Sequence, residues 1–357
     1  MPFALTLKSP AATDEIDIST LLTEIPPPPG ISTELWQSSL LGPLSEFLAR
    51  PGKHFRSQLT RLAWALTGRR DDPPGKLPLV VELLHAGSLI IDDIEDGSLQ
   101  RRGKAALHHV VGLPLALNAG NWLYFWPFDL LRQIELSPHL ELAATRASLD
   151  AVRACHEGQA LDLAATIRDL KPSEVFSVCL AISERKSGTL MGLAAELGAI
   201  AAGADANFTR ALRTFGKRVG VALQMLNDLS ELTGAAGSMK HHEDLTHGRI
   251  TWPWAWAALR LPATQFDALK ARGANLVAGI GNADVLARSL LLALGTDPQR
   301  PIRQLLEHAF LDLTEAVGEH PTLEVVQAEL NRLLRYDRAS GIGGDAAELQ
   351  FTPPHHQ

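Results

Sequence analysis

Leu89-Ile90-Ile91-Asp92-Asp93-Ile94-Glu95-Asp96 is an apolar run that ends in a burst of carboxylates. Its apolar spacing reads as the last turns of a helix over 77–96. At about 3.6 residues per turn, Asp92 and Asp96 stand one above the other, with Asp93 one step round and within reach of Asp96. Like charges packed this way repel, and the arrangement is tolerable when something positive sits between them. Hard carboxylate oxygens suit Mg2+, which takes one or two of them together with waters and phosphate oxygens. The same cluster also reads as a solvated acidic helix end, a common surface feature. The rest of the chain decides between the two.

Working outward, helical spacing covers 33–50, 55–70, 77–96, 113–134, 139–169, 172–202 and 206–233, with short joints such as Asp72-Pro73-Pro74-Gly75 between them. Further helices are expected over 252–261, 263–272, 281–294, 301–318 and 321–339. No alternating β-branched strands compete, so the expected fold class is all-α. Neither a solenoid repeat nor a long linker interrupts the pattern, and residues 31–340 read as one helical domain. Residues 1–30 read as a leader, because they show few periodic apolar positions and end in Pro26-Pro27-Pro28-Pro29-Gly30, which favours polyproline II and cannot continue a helix. Residues 341–357 read as a flexible tail.

A chain of 357 residues with 46% hydrophobic and 20% charged residues is globular with a substantial core. Its formal net charge of −7 argues against nucleic acid or an anionic membrane as partner. Cys155 and Cys179 are too few for a disulfide framework or a thiolate zinc site, which points to a reducing, cytoplasmic setting. The N-terminus lacks the basic stretch and apolar core of an export signal. The apolar region from Leu113 to Phe128 is broken by Pro114, Asn118, Asn121 and Pro127, and falls short of the roughly 18 residues a transmembrane segment needs.

Two basic clusters flank the acidic helix end: Gly52-Lys53-His54-Phe55-Arg56 before it and Gln100-Arg101-Arg102-Gly103-Lys104 after it. Arg offers a planar fork to phosphate oxygens, Lys a compact charge, and glycine lets a ligand approach the backbone. Singly, each also reads as a solvated helix end. A second polar patch, Gln224-Met225-Leu226-Asn227-Asp228-Leu229-Ser230-Glu231, interrupts an apolar helix and again sets oxygen donors on one side. The charged Glu243-Asp244-Leu245-Thr246-His247-Gly248-Arg249 follows. Two carboxylate clusters on two helices suit a metal-bridged diphosphate in a bundle core. Trp252-Pro253-Trp254-Ala255-Trp256 reads as helix-start packing. His108-His109 and His241-His242 have no partner at metal-ligand spacing. Asp162, an acid in an apolar helix next to Gln159, reads either as a hydrogen-bonding partner of a cavity-lining side chain or as structure.

Taken in order, these motifs resemble the trans-isoprenyl diphosphate synthases, the polyprenyl synthetase family. The resemblance is carried by Gly52-Lys53-x-x-Arg56, Glu82-Leu83-Leu84-His85, Asp92-Asp93-x-x-Asp96, Arg101-Arg102-Gly103 and Gly158-Gln159-Ala160-Leu161-Asp162-Leu163. It continues through Lys186-Ser187-Gly188, Phe215-Gly216, Gln224 with Asn227-Asp228-x-x-Glu231, and Asp244-Leu245-x-x-Gly248-Arg249-x-Thr251-x-Pro253. It implies one large helical bundle around a deep central cavity, working as a homodimer on an allylic diphosphate and isopentenyl diphosphate with three Mg2+ ions when substrate is bound. By that resemblance Asp92 and Asp96 would hold the first metal pair with Asp93 in support, and Asn227, Asp228 and Glu231 the third ion. Lys53, Arg56, His85 and Arg102 would hold isopentenyl diphosphate. Arg101 with Lys186 would hold the allylic diphosphate, Arg249 stands where a substrate-binding lysine is usual, and Gln224 would ease the transient carbocation. The diphosphate leaves as charge develops on it, and the cation needs a dry pocket.

Asn227 and Glu231 depart from the usual Asp-Asp-x-x-Asp, Arg249 from lysine, Pro51 from glycine and Ser57 from proline. They leave open a class I terpene cyclase, although its Asn/Ser/Glu triad would fail at Ala235, or a weakly active partner subunit of a heteromeric synthase. Gly87 and Ser88, one turn before Asp92, are small and would let a chain of about C20 pass, with C15 as the runner-up.

Overall fold

The computed structural model describes residues 18–52, 54–233 and 242–338. It is all-α as expected, apart from one small hairpin, and its residues divide into two compact units. Unit 1 comprises Met1–Arg146 and Leu197–Gly203, and unit 2 comprises Ala147–Glu196 and Ala204–Gln357.

In unit 1 the order is α1 (Ile18–Thr23), α2 (Thr33–Trp36), a π-helical turn over Gln37–Leu41, α3 (Gly42–Leu48), α4 (Phe55–Leu66) and α5 (Leu77–Glu95). The hairpin β1 (Gln100–Arg101) and β2 (Lys104–Ala105), α6 (Leu107–Val110) and α7 (Leu113–Gln133) follow. The core gathers around α5 and α7, where Leu83, Ile90, Leu123 and Leu130 are buried. Each fully buried side chain of this kind contributes about 1.5–3 kcal/mol relative to exposure. Two glycines set the spacing: a Cβ on Gly87 would meet the Gly120 carbonyl oxygen at 2.9 Å, and one on Gly120 would meet Ile91 Cδ1 at 2.8 Å.

Three expectations change here. The leader assigned to 1–30 is partly built into the core: Ile18, Leu21, Leu22 and Ile25 follow helical i, i+3, i+4, i+7 spacing, and Leu21 and Leu22 are buried against Leu44 and Phe47. Trp36 Nε1 secures the segment by donating to the Ile25 carbonyl at 3.2 Å. Residues 1–17 and the tail over 341–357 lie outside the described residues. The helix expected over 33–50 is interrupted by the π turn, in which the Gly42 amide bonds to the Gln37 carbonyl. The segment after Asp96 is a hairpin of two residues per strand, with Gln100 opposite Ala105 and Arg101 opposite Lys104. Its turn residues Arg102 and Gly103 have φ of +54° and +75°, the pattern of a type I′ turn.

α8 (Pro138–Ala164) begins in unit 1 and continues into unit 2. Unit 2 goes on with α9 (Pro172–Ser183), a second π turn over Glu184–Gly188, α10 (Thr189–Ala201), which ends in unit 1, and α11 (Ala206–Thr233). It closes with α12 (Glu243–His247), α13 (Trp252–Arg260), α14 (Ala263–Val277), α15 (Ala283–Leu294), α16 (Arg300–Val317) and α17 (Thr322–Arg338). Glycines let α11 lie directly on the second π turn and α10: Cβ atoms on Gly216 and Gly220 would stand 2.4 Å from the Met191 and Ser187 carbonyl oxygens. The tryptophans of α13 are structural. Trp252 Nε1 donates to Ser183 Oγ at 2.9 Å, and the Trp254 ring packs edge-on against Phe266. Among the described residues no helix is long and apolar enough to cross a membrane.

Candidate active site

The C-terminal end of α5 carries the first carboxylates, and they are not equivalent. Asp92 keeps 26% of its side chain exposed, whereas Asp93 is buried with 1% exposed. The difference follows from helix phase, since Asp93 turns inward and is met by Arg101 from the hairpin. Arg101 Nε donates to Asp93 Oδ1 at 2.8 Å and its Nη2 reaches Asp92 Oδ2 at 3.3 Å. Asp96 closes the helix, its amide bonded to the Asp92 carbonyl at 2.9 Å, and is half-buried. Asp92 and Asp96 therefore remain accessible one turn apart, while Asp93 anchors an arginine.

The basic residues gather in the same unit. Arg102, at the hairpin tip, lays its guanidinium over Gly52, where a Cβ would lie 3.4 Å from its Nη1. Arg56 sits in the first turn of α4, and Glu82 of α5 caps that turn by accepting from the Ser57 amide at 2.9 Å. Burial, and then the charges of Arg56, Arg102 and Arg101, hold the His85 imidazole well below its ordinary value of 6.5. His85 is thus neutral at pH 7, a hydrogen-bond donor without charge. Lys53 lies outside the described residues.

Unit 2 carries the other expected residues. Lys186 projects from the second π turn and forms an ion pair with Asp162 of α8. A Cβ on Gly158 would meet Arg185 Cβ at 2.7 Å and Lys186 Cγ at 3.0 Å, so the glycine makes room for this turn. Single π turns inside helices are frequent at functional sites. Arg249 Nη1 donates to the Asp162 carbonyl at 2.6 Å, which joins Lys186 and Arg249 through one residue. Gln224 is committed at both ends: its Oε1 accepts from Ser187 Oγ at 2.6 Å and its Nε2 donates to Asp228 Oδ1 at 2.8 Å.

Asn227 and Asp228 diverge. Asn227 is exposed, while Asp228 is buried and accepts a second bond from the Trp252 amide at 2.9 Å. Glu231 accepts from the Asp244 amide at 2.7 Å. Burial, and then the Asp244 charge, push Asp228 up to about 8 and Glu231 up to about 10. Among the described residues no three His, Cys, Asp or Glu side chains converge on one metal position. One or two carboxylates per ion, completed by phosphate oxygens and water, is nevertheless the donor set Mg2+ prefers. Acids whose proton affinity is raised by burial and by a neighbouring carboxylate fit that role.

These shifts make a stability prediction. Between the ordinary carboxylate range near 4 and the raised values, the unfolded chain has released protons that the native chain retains, so stability falls as pH rises through that window. In chelator, the thermal midpoint is expected to drop by about 5 °C or more from pH 6 to pH 9, and excess Mg2+ to reduce the drop. A flat profile by scanning calorimetry would remove the basis for a cation site at these acids.

Asp244, Ser187 and Glu82 stood within quoted motifs, and the fold gives each a definite bond. Asp162 pairs with Lys186 through its carboxylate and accepts from Arg249 through its carbonyl. The smallness of Gly87 has a packing reason in its contact with α7, whereas Ser88 is half-buried and turns its hydroxyl onto the His85 carbonyl at 2.8 Å.

The chain is similar to several known proteins. The family model described as polyprenyl synthetase matches residues 37–274. A geranylgeranyl pyrophosphate synthase of Penicillium janthinellum is 32% identical over 216 residues, 59% of this chain and 56% of that protein, so the match spans little more than half of its length. A geranylgeranyl pyrophosphate synthase of Eremothecium gossypii is 31% identical over 232 residues, 63% of this chain and 71% of that protein. Among solved structures, a polyprenyl synthase from Caulobacter crescentus, complexed with calcium and isoprenyl diphosphate, is similar with a TM-score of 0.69 and 25% identity, covering 84% of this chain and 88% of that one.

Proposed function

Because the chain belongs to the polyprenyl synthetase family, we propose that it is an isoprenyl diphosphate synthase, a prenyltransferase that joins an allylic diphosphate head-to-tail to isopentenyl diphosphate. The allylic C–O bond breaks, the double bond of isopentenyl diphosphate forms the new C–C bond, a proton is lost, and diphosphate is released. One observation carries the reading. Arg102 lies over Gly52 and, with Arg56, acts by its charge on a neutral His85, at a distance in the chain from Lys186 and Arg249. A cyclase ionises a single diphosphate, whereas condensation needs cationic groups for two.

In this reading Arg56, His85 and Arg102, with Lys53, bind isopentenyl diphosphate. In unit 2, Lys186, held by Asp162, and Arg249 bind the allylic diphosphate. Asp93 orients Arg101, and Gln224 orients Ser187 and Asp228. Asp92 and Asp96, and in unit 2 Asn227, Asp228 and Glu231, would hold Mg2+, with three ions once substrate is bound. The metal would supply charge neutralisation as diphosphate departs. Protein cations acting on the same oxygens are worth more away from water than in it.

A product of about C20 is supported by the geranylgeranyl pyrophosphate synthases among the relatives and by the small Ser88; the packing of Gly87 against α7 removes one of the two residues first read this way. A homodimer is supported by the exposed apolar side chains Leu113, Leu117 and Phe125 on α7, at 52%, 41% and 71% exposure. A cytoplasmic location is supported by Cys155 and Cys179 standing as thiols and not as a disulfide.

The test compares two incubations with Mg2+, an allylic diphosphate alone and the same substrate with isopentenyl diphosphate. Longer diphosphates should form only in the second. A hydrocarbon or alcohol in the first would replace elongation by cyclisation.

A further inference from the structure

Arg50 stands outside every motif quoted above, yet its side chain is wholly buried, with 0% exposed. Its Nη1 donates to the Arg101 carbonyl at 3.2 Å, and its Nη2 donates to the Ala105 carbonyl at 2.8 Å and to Glu46 Oε2 at 2.7 Å. The guanidinium carbon lies 5.1 Å from the centre of the Phe47 ring. In return, Arg102 Nη1 donates to the Arg50 carbonyl at 3.3 Å. The two carbonyls that Arg50 engages belong to opposite strands of the hairpin, one on each side of the Arg102-Gly103 turn.

This hairpin cannot hold its own shape. Two residues per strand are far below what is stable alone in water. Its turn also places Arg102, which has a Cβ, in the left-handed region at φ +54°, a conformation that persists only where surroundings impose it. Arg50 supplies that imposition from beneath: a planar fork bridges both strands at once, Glu46 and Phe47 fix the fork, and the Arg50 carbonyl receives the tip residue.

We propose that Arg50 is the positioning residue of the diphosphate clamp, holding the hairpin backbone and so setting where the guanidinium group of Arg102 stands. The inference rests on the reading of that cluster as a diphosphate site. Arg50 touches no reacting atom in it. Lysine at this position keeps the charge but offers no rigid fork, so it can satisfy one strand at a time.

The test uses the full chain with Arg50→Met and Arg50→Lys. It measures calorimetric binding of inorganic diphosphate, KM for each substrate, kcat and the thermal midpoint. Arg50→Lys is expected to raise KM for isopentenyl diphosphate by about three- to tenfold and to weaken inorganic diphosphate binding in parallel. Its kcat should stay within about threefold of wild type and its thermal midpoint within about 3 °C. Arg50→Met, where it folds, should raise that KM by more than about tenfold. An unchanged KM and diphosphate affinity in Arg50→Lys would overturn the proposal. So would losses in kcat and both KM values that merely track the unfolded fraction. Wild-type protein that binds inorganic diphosphate but makes no longer product would sink the proposed reaction alone, because loss of that binding in Arg50→Lys would still support the clamp.

Discussion

Asp92→Ala is expected to lower kcat/KM by about 10³-fold or more, with protein yield and helical content unchanged. The size follows from where the side chain stands. Asp92 is the accessible acid at the end of α5, one turn from Asp96, and removing it takes away one of the two carboxylates a hard cation would use there. The structure also makes the result interpretable. Arg101 is anchored chiefly on the buried Asp93, with Asp92 as a longer second contact at 3.3 Å, so the truncation leaves the arginine in place. Loss of turnover then reports the ligand position and not collapse of the hairpin. Titration with Mg2+ checks this, because Asp92→Asn, which keeps an amide oxygen, should recover part of the rate at high metal. Rates near wild type in Asp92→Ala would show that the metal platform is assigned to the wrong residues.

Lys186→Ala is expected to cost about 10²-fold in kcat/KM, expressed mainly with the allylic substrate varied. Lys186 sits on a π turn that Gly158 accommodates, and Asp162 holds its ammonium group. The pair is partly exposed, at 27% and 20% of the two side chains, so as a salt bridge it adds little to stability. Its value lies in placing one charge. Asp162→Asn should therefore give a smaller loss, about tenfold, with an unchanged thermal midpoint. Equal effects of both variants on stability and on rate would mean that the pair is structural.

Much of this was legible along the chain. Helical spacing identified the elements of both units because it is a local property, and the stacking of Asp92 on Asp96 follows from a single turn of helix. Less legible was anything that depended on a partner far away in sequence. Ile18, Leu21, Leu22 and Ile25 carry a helical pattern too short to stand out before a run of prolines, and only burial against α3 makes them part of the core. The hairpin after Asp96 has strands too short for an alternating signal. Asp92 and Asp93 are adjacent identical residues, as alike in sequence as two acids can be, and packing separates them into an accessible carboxylate and a buried anchor. Asn227 and Asp228 were read as a joint set of oxygen donors, yet one is exposed and the other is held by Gln224 and the Trp252 amide.

Residue type and spacing alone determined the all-α class, the i, i+4 carboxylate pair on α5 and the family to which the chain belongs, because helix phase and motif order are written in consecutive residues. The tertiary structure alone decided which acids are buried, why Gly87 is small, and that Arg50 underpins the hairpin. Desolvation, close helix approach and hydrogen bonds to another segment's carbonyls are properties of neighbours in space, and these neighbours are brought together only when the chain folds.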